Sequence, residues 1–132
     1  MLEFKLNTEI TVAQFKDVLH TSGLAERRPV DDDECLAGML QHANLTVSAW
    51  HKGQLVAIAR SVTDFHYACY LSDLAVHRDF QDQGVGKSLM DMTQAQLKNT
   101  CKLILLAAPD ANDYYPKMGF EQNPRCWIKA GR

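Results

Sequence analysis

The sequence has few of the features that mark disulfide-rich, membrane-spanning or nucleic-acid-binding proteins. Its 132 residues include four scattered cysteines and no CxxC pair, so neither a disulfide framework nor a zinc site is indicated and we expect no metal. The formal net charge is −2 and no basic stripe is present, which excludes the electrostatic signature of a nucleic-acid-binding protein. No apolar run approaches the roughly 20 residues that span a bilayer, so we expect no membrane partner.

The chain also has no repeat, no low-complexity tract and no linker rich in proline, glycine or serine. Its first residues lack the basic stretch and following apolar stretch of a secretory signal. A hydrophobic content of 46% and a charged content of 23% are typical of a globular domain. We therefore expect a cytoplasmic protein in which residues 1–132 form a single domain.

Hydrophobic periodicity and turn residues predict an ordered succession of strands and helices. The predicted elements are a strand at residues 2–6, helices at 11–20 and 31–42, strands at 45–50, 54–62 and 67–76, a helix at 87–98, a strand at 103–107, a helix at 111–118 and a strand at 125–129. The apolar run at 103–107 is typical of a strand buried on both faces. This β-α-α-β-β-β-α-β-α-β order predicts an α/β fold with a mixed, largely antiparallel central sheet flanked by helices.

A glycine-rich segment, residues 81–88, joins the strand at 67–76 to the next helix. It consists of Gln81, Asp82, Gln83, Gly84, Val85, Gly86, Lys87 and Ser88. Glycine lets the backbone turn tightly, and the first amides of a helix have no intrahelical partner. Such amides suit phosphate, so the segment predicts a diphosphate site to which Lys87 adds a charge-assisted contact. A plain strand-to-helix turn would use the same glycines and is the alternative interpretation.

Three phosphate-binding motifs compete for this segment. A P-loop requires glycine where the chain has Gln81, and the dinucleotide motif GxGxxG requires glycine at Leu89. The pattern that fits is Q/R-x-x-G-x-G/A, with Gln81, Gly84 and Gly86 at its three fixed positions. In this respect the chain resembles the GNAT family of acyl-CoA-dependent N-acyltransferases.

Two flanking segments strengthen the resemblance, which covers roughly residues 45–120. Residues 71–80 resemble the family's DLAV-x-P-x-Y sequence, and residues 114–120 resemble its FY-x-K-x-GF sequence. The chain departs from these patterns at Arg78, where proline is usual, and at Pro116, which falls inside a segment that is normally helical. The predicted element order matches that of the family with one C-terminal strand missing or shortened. A homodimer, in which a second subunit completes the sheet at its C-terminal end, would be consistent with the missing or shortened strand.

The resemblance implies roles for two further segments. The backbone of Leu74, Ala75 and Val76 would pair with the pantetheine arm of acetyl-CoA, and one amide there would polarise the thioester carbonyl. Tyr115 stands where the family carries the tyrosine that protonates the departing thiolate. Tyr114 is the alternative if the register is shifted by one residue.

A general base is harder to assign from the sequence. Asp73 precedes the thioester-lining residues and would take the proton of the amine directly or through water; the alternative is that it only hydrogen-bonds to nearby backbone. His66, His77 and Asp113 are the other candidates. Loss of the amine proton to solvent through a water chain would require no dedicated base.

These features together predict an N-acetyltransferase that moves acetyl from acetyl-CoA to a primary amine by direct attack in a ternary complex. We expect a small-molecule acceptor, and the resemblance implies that residues 19–36 and the three strands at 45–76 would bind it. Arg27 and Arg28 are candidates to pair with an acceptor carboxylate, and the alternative is that they belong to a solvated loop. A protein or peptide amine is the alternative acceptor. A non-catalytic acyl-CoA-binding or sensing module on the same fold is the alternative function, and it would make Tyr115 dispensable.

Overall fold

The structure is a computed structural model that describes all residues from Met1 to Arg132. Its strands are β1 (Glu3–Leu6), β2 (Leu45–His51), β3 (Gln54–Thr63), β4 (Ala68–Val76) and β5 (Lys102–Ile104), and its helices are α1 (Val12–Ser22), α2 (Asp33–His42) and α3 (Val85–Ala95). The five strands form one sheet in the order β1-β2-β3-β4-β5. Neighbouring strands are antiparallel except β4 and β5, which are parallel. The predicted α/β fold with a mixed, largely antiparallel sheet is confirmed.

The first two helices begin where the sequence supplies side-chain caps. Thr11 Oγ1 accepts from the Gln14 amide at 3.1 Å, and the Gln14 side chain accepts from the Thr11 amide at 2.9 Å, which completes a capping box before α1. Gly23 ends α1 with φ +87°, a left-handed conformation that glycine adopts without strain. Asp32 accepts from the Cys35 amide at 3.0 Å and caps α2. The predicted helix at 31–42 is thus present and begins two residues later than predicted, at Asp33.

Apolar side chains on both faces of the sheet hold the layers together. On one face, α1 and α2 contribute the fully buried side chains of Phe15, Val18, Leu19 and Leu36. On the other face, α3 contributes Val85, Leu89 and Met90. Because β3 has helices on both sides, it is buried along almost its whole length. None of the helices has the length and hydropathy that crossing a bilayer requires.

β4 and β5 separate soon after they begin to pair. Their pairing is confined to residues 68–70 of β4 and 102–104 of β5. β4 continues to Val76 with β3 as its only partner, because the chain beyond Ile104 forms no further strand. An opening results, which we call the β4–β5 gap, and it is bordered by residues 71–76 of β4.

The chain after α3 differs most from prediction. The predicted strand at 103–107 is only the three-residue β5, and its side chains are partly or largely exposed instead of buried on both faces. The predicted helix at 111–118 consists of two separate 3₁₀ turns, Pro109–Ala111 and Pro116–Met118. Pro116 has no N–H to donate and its ring obstructs the preceding turn, so a continuous α-helix cannot pass through it.

The predicted final strand at 125–129 is also absent from the fold. These residues form no ladder and are exposed, with Trp127 at 90% of its maximal accessibility. A strand is stabilised by pairing with a neighbouring strand, and the three residues of β5 form too short an edge for a further strand to pair with.

The α3 helix begins two residues earlier and ends three residues earlier than predicted, at Val85 and Ala95.

Truncation of Leu89 tests whether α3 is held by its buried face. We expect Leu89→Ala to lower the free energy of unfolding by about 2–5 kcal/mol, because the side chain is fully buried against the sheet and its removal leaves a cavity. Gln94→Ala, an exposed position on the same helix, should change it by less than about 0.5 kcal/mol. Urea denaturation monitored by circular dichroism measures both. Equal effects of the two substitutions would contradict the described orientation of α3.

Candidate functional site

The C-terminal half of β4 presents unpaired backbone to the β4–β5 gap. The His77 amide donates to the Val56 carbonyl oxygen of β3 at 2.7 Å. Peptide groups alternate in direction along a strand, so those of Ala75 also point toward β3, whereas those of Leu74 and Val76 point into the gap. Of the three residues predicted to pair with pantetheine, Leu74 and Val76 are thus oriented for it. Ala75 instead buries its side chain against α1 and α2.

The start of α3 supplies a second set of free backbone donors beside Val76. Ser88 makes the first intrahelical bond, to the Gly84 carbonyl oxygen at 3.0 Å. The amides of Val85, Gly86 and Lys87 therefore have no partner within the helix, and Gly84 provides no side-chain cap. The turn into the helix depends on φ angles of +62° at Asp82 and +80° at Gly84. Only the second of these is at glycine, so Asp82 carries some backbone strain.

Side chains of the glycine-rich segment brace its backbone. Gln81 Nε2 donates to the Val76 carbonyl oxygen at 2.8 Å, and Gln83 Nε2 donates to the Asp79 carbonyl oxygen at 3.3 Å. Gln81 thus ties the segment to the end of β4, a role that the motif alone did not reveal. Lys87, predicted to contact phosphate, forms an exposed ion pair with Asp91 at 2.7 Å.

The two adjacent tyrosines occupy different surroundings. The Tyr115 ring packs edge-on against Tyr114 and Phe120, with centroids 5.2 and 5.5 Å away. Burial raises the pKa of both phenols above their ordinary value. The Tyr114 hydroxyl lies directly against Gly86, since a Cβ atom at that position would be 2.9 Å from it. The structure thus brings Tyr114, the register alternative, into contact with the glycine-rich segment.

Asp73, the predicted general base, is fully buried in an ion cluster with two arginines. One carboxylate oxygen accepts from Arg28 Nε at 2.5 Å and the other accepts from Arg60 Nε. A general base must offer a lone pair to its substrate, and both oxygens are engaged where solvent does not reach. The geometry therefore argues against the general-base prediction. Its alternative, hydrogen bonds to nearby backbone, is not observed either.

The same cluster fixes the path of β4. Arg60 pairs across the sheet with Asp73 and Ser61 pairs with Leu71, so Ser72 is an extra residue that bulges from the strand. Arg28 Nη2 donates to the Ser72 carbonyl oxygen at 2.8 Å, and Arg60 Nη2 donates to Ser72 Oγ at 3.0 Å. Arg28, considered above for an acceptor carboxylate, thus fastens the α1–α2 connection to β4 instead.

Sequence reasoning missed this cluster although a signal was present. Arg60 and Asp73 each lie within a strongly apolar strand sequence, and charged side chains are almost never fully buried unless they are paired. Two opposite charges in consecutive antiparallel strands are therefore a signal that the two side chains meet.

Of the other predicted candidates for a base, His66 lies away from the gap and His77 directly follows Val76 at its border. His66 precedes β4, and the strand is about 26 Å long at 3.3 Å per residue, so His66 lies at the far end of the sheet. His77 Nδ1 accepts from the Asp79 amide at 3.0 Å. Asp113 is exposed in the loop after β5. No cluster of three or more His, Cys, Asp or Glu side chains has the arrangement of a metal site.

A groove of about 550 Å³ lies away from the β4–β5 gap. It is formed by the β1–α1 connection, α2 and the start of β2. Its asparagines already serve the fold, because Asn7 Oδ1 accepts from the Thr46 amide at 2.8 Å and Asn44 bonds both backbone groups of Thr63. We therefore place the candidate site at the β4–β5 gap, where backbone donors are free.

Comparisons with known proteins agree with the observed fold. A family model described as an acetyltransferase (GNAT) domain matches residues 16–131. An uncharacterized N-acetyltransferase, ycf52, of Porphyra purpurea is 32% identical over 91 residues, which are 64% of this chain and 52% of that protein. The chain thus spans about half the length of this relative.

Solved structures share the fold at low sequence identity. A GNAT family acetyltransferase of Streptococcus pneumoniae, SP0256, superposes with a TM-score of 0.78 at 22% identity, over 99% of this chain and all of the other. The aminoglycoside N-acetyltransferase AAC(6')-Iy, in complex with CoA, superposes with a TM-score of 0.73 at 17% identity, over all of this chain and 95% of the other.

Neutralising Asp73 tests the importance of the ion cluster. We expect Asp73→Asn to lower the free energy of unfolding by about 3–5 kcal/mol, because it leaves two arginines facing a neutral side chain in the interior. Asp91→Asn, which removes the partner of an exposed i,i+4 pair, should cost about 0.5 kcal/mol or less. Urea denaturation at neutral pH measures both. A loss below about 1 kcal/mol for Asp73→Asn would contradict the role assigned to the cluster.

Proposed function

The chain belongs to the GNAT acetyltransferase family, and on that premise we propose that it is an N-acetyltransferase that uses acetyl-CoA to acetylate a primary amine. The observation that carries the proposal is the juxtaposition of two sets of free backbone groups. The amides of residues 85–87 at the start of α3 lie beside the peptide groups of Leu74 and the amide of Val76 at the β4–β5 gap, whereas the Val76 carbonyl oxygen is taken by Gln81. Together they suit a ligand that is anionic at one end and amide-bearing along its length.

Binding of acetyl-CoA would use mainly the backbone. The free amides of Val85, Gly86 and Lys87, together with the positive end of the α3 dipole, would hold the diphosphate. Leu74 and Val76 would hydrogen-bond to the pantetheine arm in the manner of an added strand. Lys87 can turn from Asp91 toward a phosphate at small cost, because exposed ion pairs contribute about 1 kcal/mol or less.

Direct attack in a ternary complex is the mechanism that we propose. The thioester supplies an activated acetyl group, whose carbonyl carbon forms a bond to the amine nitrogen while its bond to sulfur breaks. A backbone amide on β4 would stabilise the developing oxyanion. Tyr115 would donate its phenolic proton to the departing thiolate, and the proton that the acylated nitrogen releases through solvent would restore the phenol.

No dedicated general base is required by this proposal. Asp73 is committed to Arg28 and Arg60, and His66 lies at the other end of the sheet. The amine would lose its proton to solvent before or during attack. The rate should therefore follow the fraction of acceptor that is uncharged.

A small cationic amine is the acceptor class that we favour. The α1–α2 connection and the start of α2 carry the acidic side chains of Glu26, Asp31, Asp32, Asp33 and Glu34. Arg27 in the same connection and Lys16, which pairs with Asp33 at 2.5 Å, offset part of this negative charge, and the remainder attracts cations to this side of the protein. The structural neighbour AAC(6')-Iy is an aminoglycoside N-acetyltransferase, which is consistent with an acceptor of this kind.

The cytoplasmic location and the homodimer expected from the sequence stay predictions.

Calorimetry followed by a thiol-release assay tests the proposed function. We expect acetyl-CoA to bind with 1:1 stoichiometry, whereas ATP and NAD, which lack the pantetheine arm, should bind far more weakly. Thiol release should then depend on an added primary amine from a panel that includes polyamines, aminoglycosides and a lysine peptide. Absence of acetyl-CoA binding would overturn the proposal. Binding without release for any amine would favour an acyl-CoA-sensing module.

Tyr115→Phe tests the proton donor. We expect kcat to fall by about 10²-fold, at the low end for a general acid because a thiolate is already a good leaving group, with little change in acetyl-CoA affinity. Tyr67→Phe, an exposed tyrosine at the opposite end of β4, is the matched control and should retain full activity. Steady-state thiol release measures both variants. Full turnover by Tyr115→Phe would remove Tyr115 from the mechanism.

A further inference from the structure

We propose that Tyr114 is a ligand-binding residue whose hydroxyl donates a hydrogen bond to the diphosphate of CoA. This inference rests on the proposed function and adds one side chain to a site otherwise built from backbone. The Tyr114 hydroxyl, the Gly86 backbone and the Val76 side chain converge at the start of α3. The point that a Cβ of residue 86 would occupy is 2.9 Å from Tyr114 Oη and 4.0 Å from Val76 Cγ2.

Gly84 and Gly86 are glycines for different reasons. Gly84 has φ +80° and no atom within 4 Å of an added Cβ, so its backbone conformation alone favours glycine. Gly86 lies inside α3 without a positive φ, so its backbone would accept alanine. What a side chain at position 86 would meet is the Tyr114 hydroxyl. The second glycine of the motif therefore makes room for the Tyr114 hydroxyl.

The surroundings of the Tyr114 hydroxyl favour a ligand that accepts hydrogen bonds. The hydroxyl forms no side-chain hydrogen bond within the protein, and the residue is 39% exposed. Its neighbours at the start of α3 are the free amides of residues 85–87, which are donors as well. Several donors directed at one point match an anion with several acceptor oxygens, and a diphosphate is such an anion. The raised pKa of Tyr114 keeps the phenol protonated and able to donate at neutral pH.

The two neighbouring tyrosines would thus have different functions, ligand binding for Tyr114 and proton donation for Tyr115. Tyr115 packs against Phe120 beside the core and is assigned to proton transfer, whereas Tyr114 reaches the glycine-rich segment and is assigned to binding. The two roles separate kinetically. Loss of the Tyr114 hydroxyl should raise the KM for acetyl-CoA with kcat nearly unchanged, and loss of the Tyr115 hydroxyl should lower kcat.

A double-mutant cycle on CoA affinity tests the assignment. We expect Tyr114→Phe to weaken CoA binding about 10-fold, the effect of losing a hydrogen bond to a charged group. Gly86→Ala should also weaken binding, because its Cβ displaces the hydroxyl at the flexible end of a side chain without disturbing the helix. The pair Gly86→Ala and Tyr114→Phe should bind no more weakly than Tyr114→Phe alone, because the next nearest tyrosine atom, Cζ, is 3.8 Å away.

Four results would overturn this inference, and only one of them would also overturn the proposed function. If wild type binds CoA and Tyr114→Phe binds equally well, the inference is wrong and the proposed function stands. Simple addition of the two single effects in the double variant would lead to the same conclusion. If wild type does not bind CoA, both are wrong. A fall in kcat for Tyr114→Phe with unchanged KM would instead make Tyr114 the proton donor, and Tyr67→Phe controls for the loss of a phenol elsewhere.

Discussion

The buried pairing of Asp73 with Arg28 and Arg60 is the interaction on which the candidate site depends. β4 must leave the β4–β5 gap open, so along its second half it has a hydrogen-bonded neighbour on one side only. The cluster compensates from the α1–α2 face. It holds the Ser72 bulge and ties the α1–α2 connection to the strand, and Arg60 Nη1 also donates to the Met39 carbonyl oxygen of α2 at 3.0 Å. Arg28 and Arg60 together donate to both oxygens of the Asp73 carboxylate, so this carboxylate is hydrogen-bonded where solvent does not reach it.

The proposed recognition of CoA through backbone groups would allow the site to persist while the sequence varies. The peptide groups of Leu74, the amide of Val76 and the amides of residues 85–87 are free for almost any side chains that preserve the strand and the helix start. Only the positions with special conformation or close contact are restricted, namely Gly84 and Gly86. This is consistent with neighbours that superpose with TM-scores of 0.73 and 0.78 at 17% and 22% identity. Acceptor specificity would then reside in the side chains of the α1–α2 connection.

Local sequence signals predict the first two thirds of the fold well. Thr11 and Asp32 are caps whose effect is confined to one helical turn, and the alternation of more and less buried side chains along β4 is a property of that strand. The glycine-rich segment is recognisable for the same reason. What local signals do not predict is decided by distant partners: the meeting of Arg60 with Asp73, the approach of Tyr114 to Gly86, and the absence of a strand at 125–129. Pro116 is visible in the sequence, but it interrupts the helix at 111–118 more completely than the pattern predicts.

Amide chemical-shift mapping with CoA would locate the ligand on the protein without requiring the acceptor. In ¹⁵N-labelled protein we expect the largest shifts at Val85, Gly86 and Lys87, with further shifts at Leu74 and Val76. The amide of Ala75, which points toward β3, should shift less. Shifts centred instead on the groove lined by Asn7, Gln41 and Asn44, or no saturable shifts at millimolar CoA, would contradict a CoA site at the β4–β5 gap.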